Sequence, residues 1–183
     1  YKPGWEKIER ALSGEVEIVY LLGGLAPDSD QPMPAAMQQQ IAAHWHRIES
    51  QLGTKFNHEF WTINTPRRST YPASRALIAA RTLDKTAEKP MLLAIQQAYY
   101  LQAKNPADDA VLIACAAQLG LDTKDFTELL NHPSTQQQLL MEIKLARGMG
   151  VNSFPSIVLQ QGEQTQVLRY DYNDPQVLLN QLS

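Results

Sequence analysis

The stretch Gly148-Met149-Gly150-Val151-Asn152-Ser153-Phe154-Pro155-Ser156-Ile157-Val158-Leu159 constrains the fold of this chain more than any other. It leads from the glycine-marked end of a helical region into an apolar strand that opens on a proline. Proline has no N–H to give to a ladder, so a sheet accepts it at a strand's first residue or along an edge. X-Pro is also the bond type for which the cis isomer is inexpensive, which makes Phe154-Pro155 a candidate cis peptide. Beyond it, residues 156–161 and 165–170 read as two strands flanking Gly162, a hairpin pattern. Asp174-Pro175 then supplies a cap followed by proline in the first helical position, with Val177, Leu178 and Leu182 on one face of a last helix.

Upstream, Trp5, Ile8 and Leu12 recur at helical spacing until Ser13-Gly14 stops them. Residues 15–22 (EVEIVYLL) carry apolar side chains on both faces of an extended pattern, which predicts a strand covered on both sides. Residues 26–34, rich in proline and aspartate, predict a loop. A second helix is expected over 33–52, where Met37, Ile41, Trp45, Ile48 and Leu52 share a face and Gly53 closes it. Residues 54–68 are irregular, with aromatic Phe56, Phe60 and Trp61 close together. Thr70 is placed to cap a helix over 71–83, with Pro72 in the first turn, where a missing N–H costs nothing. Further helices open at Pro90, at Asp108-Asp109, at Asp122 and at Ser134, the last through a capping-box pairing with Gln137. The middle of the chain is thus a helical block.

Five segments, Tyr20-Leu21-Leu22-Gly23-Gly24-Leu25-Ala26, Pro32-Met33-Pro34, Tyr71-Pro72-Ala73-Ser74-Arg75-Ala76, Ala98-Tyr99-Tyr100 and Gly150-Val151-Asn152-Ser153-Phe154-Pro155, occur in one order. In that order they resemble the DsbA-like branch of the thioredoxin fold, which includes FrnE-type proteins and 2-hydroxychromene-2-carboxylate isomerases. The resemblance implies an α/β thioredoxin-like sheet with a large inserted all-helical subdomain. The thioredoxin-like part would be residues 1–31 and 150–183, and the insertion residues 32–149. It implies thiol-disulfide oxidoreductase activity through a Cys-x-x-Cys expected, with the family's first strand, just upstream of Tyr1. That strand would lie between 15–22 and 156–161. A substrate would rest against Ser153, Phe154 and Pro155, and the partner would be a thiol- or disulfide-bearing protein or peptide, or glutathione. Two alternatives remain open within the resemblance. One is a glutathione-dependent isomerase or transferase, of the chromene-carboxylate or kappa type, with serine in place of the first cysteine. The other is a binding module that keeps the groove and has no thiols.

Residue chemistry narrows the rest. A net charge of −3 with scattered basic residues gives no footprint for nucleic acid. No apolar run approaches the ~20 residues of a membrane span. One cysteine excludes a disulfide framework within the chain, which leans toward the cytoplasm. Cys115 lies in Val111-Leu112-Ile113-Ala114-Cys115-Ala116-Ala117, an apolar setting that predicts a buried, inert thiol. Ser74 is read as a small helix-packing residue, and Asp28 and Asp30 as acids of a solvated turn. His44 and His46, two apart on a helix, point about 200° from each other. With His58 and His132 isolated in sequence, no metal site is expected. Absence of G-x-S-x-G, a P-loop or G-x-G-x-x-G removes the hydrolase and nucleotide-binding readings. No catalytic residue is assigned within the 183, and no cofactor apart from glutathione is expected.

Overall fold

The computed structural model describes residues 2–171 and 174–182. Its elements run α1 (Lys2–Ala11), α2 (Ala35–Leu52), α3 (Phe60–Ile63), α4 (Tyr71–Leu83), α5 (Glu88–Tyr100), α6 (Asp109–Gln118), α7 (Thr123–Leu130), α8 (Pro133–Gly148), β1 (Ile157–Gln161), β2 (Gln164–Leu168) and α9 (Gln176–Leu179). They form two compact units, Tyr1–Gly23 with Met141–Ser183, and Gly24–Leu140. The second unit takes in residues 24–31, which the family resemblance places in the thioredoxin-like part. Backbone pairing explains this: Thr70 N–H donates to the Ala26 carbonyl at 3.0 Å and Met33 N–H to the Pro66 carbonyl at 2.7 Å. It releases 141–149, the end of α8, to the first unit.

In the first unit β1 and β2 are antiparallel, with Ile157 opposite Leu168 and Gln161 opposite Gln164. Ile8 of α1, Leu168 of β2 and Leu178 of α9 are buried together, and Trp5, Leu12, Ile157, Leu159, Tyr170 and Leu182 pack around them. The helical spacing of Trp5, Ile8 and Leu12 is therefore the spacing of a face that covers the hairpin.

Residues 15–22 are not a paired strand. Among the described residues the sheet has two strands, and Val16, Val19 and Tyr20 are exposed. Among the described residues no neighbouring strand forms the ladder that the alternation predicted, and the segment is held by side-chain contacts. Leu22 N–H donates to Glu142 Oε2 at 2.9 Å, and the Tyr20 hydroxyl donates to Glu9 while accepting from Trp5 Nε1 at 2.8 Å. A strand is defined by its neighbour, and apolar alternation alone supplies none.

The second unit is a helical bundle with two cores. Ala76, Ile78, Ala79 and Ala80 of α4 are fully buried, as are Met91, Leu112, Ala116, Phe126 and Leu130 from α5, α6 and α7. The other core surrounds Trp45 of α2, which is 4 % exposed and ringed by Phe56, Phe60, Trp61, Tyr99 and Tyr100. Burial pushes the Tyr99 hydroxyl pKa well above the usual tyrosine range, with the neighbouring Tyr100 adding to the effect, and burial raises that of Tyr100 as well.

Local signals decide several boundaries. α4 begins at Tyr71 and ends at Leu83, as predicted, and Gly53 closes α2 with φ 66°, the left-handed conformation for which glycine pays least. Asp122 caps α7 by accepting from the N–H groups of Lys124 and Asp125. Other caps are displaced by tertiary partners. Thr70 does not cap α4, because its hydroxyl donates to the Ala26 carbonyl and accepts from Ala26 N–H. α8 begins at Pro133 without the predicted Ser134–Gln137 box; Ser134 N–H goes instead to His132 Nδ1 at 3.2 Å. Residues 54–68, expected to be irregular, contain the short α3.

Candidate functional site

The loop from Gly150 to Ser156 hangs between the end of α8 and the start of β1, and both ends are fixed. Val151 N–H returns to the Ala146 carbonyl at 3.1 Å and Gly150 N–H to the Arg147 carbonyl at 3.0 Å, closing the helix. Arg147, in the last turn of α8, donates from Nη1 to the Val151 carbonyl at 3.0 Å and lays its guanidinium 5.4 Å from the centroid of the Phe154 ring. A cation at this end also complements the helix dipole. On the strand side, the Ser156 hydroxyl donates to the Ser153 carbonyl at 2.6 Å. The Phe154–Pro155 peptide bond is cis.

Phe154 is the side chain that shapes the loop's surroundings. Its ring lies over Gly23 so closely that a β-carbon at position 23 would sit 2.0 Å from Cε1 and 2.4 Å from Cζ. Gly23 of the Tyr20–Ala26 segment and Phe154 of the proline loop are therefore one feature, the glycine leaving the space that the ring fills. Replacing Gly23 with alanine is expected to expel the ring from this seat, with a stability loss of about 1–3 kcal/mol typical of overpacking. The check is a Phe154 ring resonance shifted toward its solvent value in Gly23→Ala; an unmoved ring would show that the contact is slack.

Ser153, Phe154 and Pro155 are all exposed. Among the described residues, the backbone N–H groups of Ser153 and Phe154 have no hydrogen-bond partner. A solvent-facing segment with free amides, beside an aromatic ring held by a cation, can take an extended peptide or a peptide-like thiol by main-chain pairing. Lys2 is the first helical residue of α1, and Tyr1 lies outside the described residues.

The remaining sequence candidates fall elsewhere. Cys115 is 3 % exposed in α6, and burial pushes its thiol pKa up, with Lys104 opposing weakly. The Ser74 hydroxyl donates back to the Thr70 carbonyl inside α4. Asp28 is not simply solvated: it holds Arg75 through both carboxylate oxygens, at 2.8 and 3.0 Å, beside an open cleft of about 450 Å³ that Arg67, Asp108 and Asp30 also line. His46 and His58, far apart in sequence, stack at 4.0 Å. The described residues include no helix long and apolar enough to cross a membrane.

Among solved structures, the fold is similar to a protein assigned as a disulfide isomerase from Nitrosomonas europaea, at TM-score 0.82 and 23% identity, covering 98% of this chain and 86% of that one. It is similar to the cytosolic disulfide reductase DsbM from Pseudomonas aeruginosa at TM-score 0.69 and 23% identity, covering 91% and 84%. Among curated proteins it is similar to the ClpXP adapter protein SpxH of Halalkalibacterium halodurans, 26% identical over 68% of this chain, and to that of Bacillus subtilis, 28% identical over 64%. The matched stretch spans 40% of each adapter's length. The family described as Thioredoxin matches residues 8–178, nearly the whole chain, and the chain therefore belongs to the thioredoxin family.

Proposed function

We propose that this chain is the substrate-holding body of a DsbA-like thiol-disulfide oxidoreductase. A protein or peptide disulfide, or glutathione, rests against Ser153, Phe154 and Pro155. The observation that carries the reading is the pair of unpartnered N–H groups at Ser153 and Phe154, on an exposed loop anchored at both ends. A bound strand pairs with these amides while its flanking side chain lies along the Phe154 ring. The redox centre of this reading is a Cys-x-x-Cys ahead of α1. A thiolate near the start of a helix is stabilised by the dipole and by free N–H groups, and it attacks the partner's disulfide to give a mixed disulfide that the second cysteine resolves. Cys115 takes no part, since it is buried in the helical unit with its pKa raised.

Glutathione is favoured as the small thiol partner because the similar reductase DsbM has been solved with it. The description of that protein as cytosolic supports a reducing compartment for this one. The likeness to the ClpXP adapters supports a second reading, in which the same loop serves as a protein-binding module without turnover.

The experiment has two arms. Residues 1–183 alone should fail to reduce insulin and should react slowly with a thiol reagent, yet the Ser153 and Phe154 amides should shift on titration with oxidised glutathione or a disulfide-bearing peptide. The protein with the residues preceding Tyr1 in place should reduce insulin and lose that activity when its first upstream cysteine becomes serine. Amide shifts without any activity in the longer protein would favour the binding module, and a native serine there with glutathione-dependent turnover would favour the isomerase. Unmoved amides would overturn the loop as the site.

A further inference from the structure

We propose that His46, Glu49 and His58 form a binding site for one divalent cation of the zinc type. The site lies in the helical unit and is independent of the disulfide reading above. His46 and Glu49 are three apart on α2 and so project from one side of it, while His58 comes back over them from the loop before α3. One ligand atom from each residue lies within 4.8 Å of the other two. Glu49 Oε2 stands between the imidazoles, 2.8 Å from His58 Nε2 and 3.6 Å from His46 Nδ1.

The surroundings fit a built site better than a chance surface pairing. Glu49 Oε1 accepts from Phe56 N–H at 3.0 Å, which fixes the carboxylate and leaves Oε2 for the shared centre. The loop carrying His58 is pinned where Asn57 N–H donates to the Tyr100 carbonyl at 2.7 Å, and the His58 ring stands edge-on to Trp45 at 6.0 Å. Hydrogen bonds to the ligating side chains and an apolar wall beside them orient ligands and stiffen a metal site. His58 and Glu49 are half-buried, whereas the His46 side chain is 67 % exposed.

The donor set, two imidazoles and one carboxylate, is that of open zinc sites, which keep a fourth position for water or an exogenous ligand. Metal–ligand distances of about 2.0–2.2 Å put neighbouring donors about 3.3–3.6 Å apart in a tetrahedron. The 3.6 Å edge lies within that range, and the 2.8 Å edge must open as the ion displaces the proton that His58 Nε2 shares with Glu49, which is released to solvent. One movement is required. The two rings are parallel, within 5°, so their in-plane lone pairs cannot meet at one ion until an imidazole turns about χ2. His46 is free to do so because it faces solvent.

The test is titration of the metal-stripped chain with Zn²⁺ by calorimetry and with Co²⁺ by visible absorption. One equivalent should bind saturably, with Co²⁺ bands of a four-coordinate site. His46→Ala, at an exposed position that should not disturb folding, and His58→Asn each remove one of three ligands and should weaken binding by about tenfold or more, at least the loss caused by removing a group that only supports a ligand. His44→Ala, two residues along the same helix, should leave it unchanged. Absence of saturable binding would overturn the proposal, leaving a hydrogen-bonded His–Glu pair only. So would binding that survives the His46 and His58 changes, or that is lost equally with His44→Ala or His132→Ala.

Discussion

Trp45→Ala is expected to destabilise the helical unit by roughly 3–5 kcal/mol, the range for emptying a large aromatic site in a core. Trp45 is 4 % exposed and touches rings on every side: Phe56 stacks on it at 4.9 Å and 17°, Trp61 lies at 5.0 Å, Tyr99 at 5.3 Å and Tyr100 at 5.6 Å. Those rings come from α3, α5 and the loop between α2 and α3, so the cavity would open where α2 meets separate elements. Rigid aromatic neighbours collapse poorly into such a space. Against a typical domain stability of about 5–15 kcal/mol, the loss would be a large share. Trp45→Phe, which keeps an aromatic ring in place, should cost much less, and so should Trp61→Phe, because the buried Trp61 Nε1 has no hydrogen-bond partner among the described residues. Urea unfolding followed by circular dichroism would measure all three. A loss below about 1 kcal/mol for Trp45→Ala would show that the ring cluster is surface packing, not a core.

The second large effect is expected at Asp28. Arg75 on α4 is 8 % exposed, and its guanidinium is held by Asp28 through two hydrogen bonds and by Gln136 Oε1 at 3.0 Å, while its buried Nε has no partner among the described residues. Asp28→Ala would leave a buried cation with a single neutral acceptor, a loss of roughly 1–3 kcal/mol once the half-exposed position of the carboxylate is allowed for. Arg75→Met should cost less than Asp28→Ala, because it removes the charge together with the unpartnered Nε and leaves Asp28 free to hydrate. This inversion, with the acid more costly to delete than its base, is the distinctive result. A double-mutant cycle on the two positions measures the coupling directly. Equal and small losses would mean that the pair is a solvated surface contact.

The two expectations concern groups that local sequence could name but could not connect. Trp45 is visible as one position on the apolar face of a helix, and Phe56, Phe60 and Trp61 as an aromatic cluster in an irregular stretch, yet nothing in the spacing says that they share a core. Asp28 reads as an acid of a turn until Arg75 is folded over it.

Sequence alone determined what depends on neighbours within a turn or two of chain. The helices over Tyr71–Leu83 and Thr123–Leu130 follow from a proline placed in the first turn, an aspartate at the cap and apolar spacing. The hairpin about Gly162 follows from alternation and a glycine turn, and the burial of Cys115 from its apolar neighbours. The ordered motifs named the family, and with it the proline loop. Tertiary structure alone decided the pairings. Residues 15–22 carry a strand's pattern, but a strand exists only where another backbone offers its N–H and C=O groups; among the described residues none does, and Leu22 N–H goes to the Glu142 side chain. Thr70 caps nothing because Ala26 claims its hydroxyl. Gly23 is a glycine because the Phe154 ring occupies its β-carbon's space, and His46 meets His58 although helical geometry turns it away from His44. The physical reason is common to all of them. Propensity and capping act through covalent neighbours and fade within a turn, whereas hydrogen-bond partners and ring contacts between distant residues are settled only when the apolar faces have packed and fixed which side chains remain within reach.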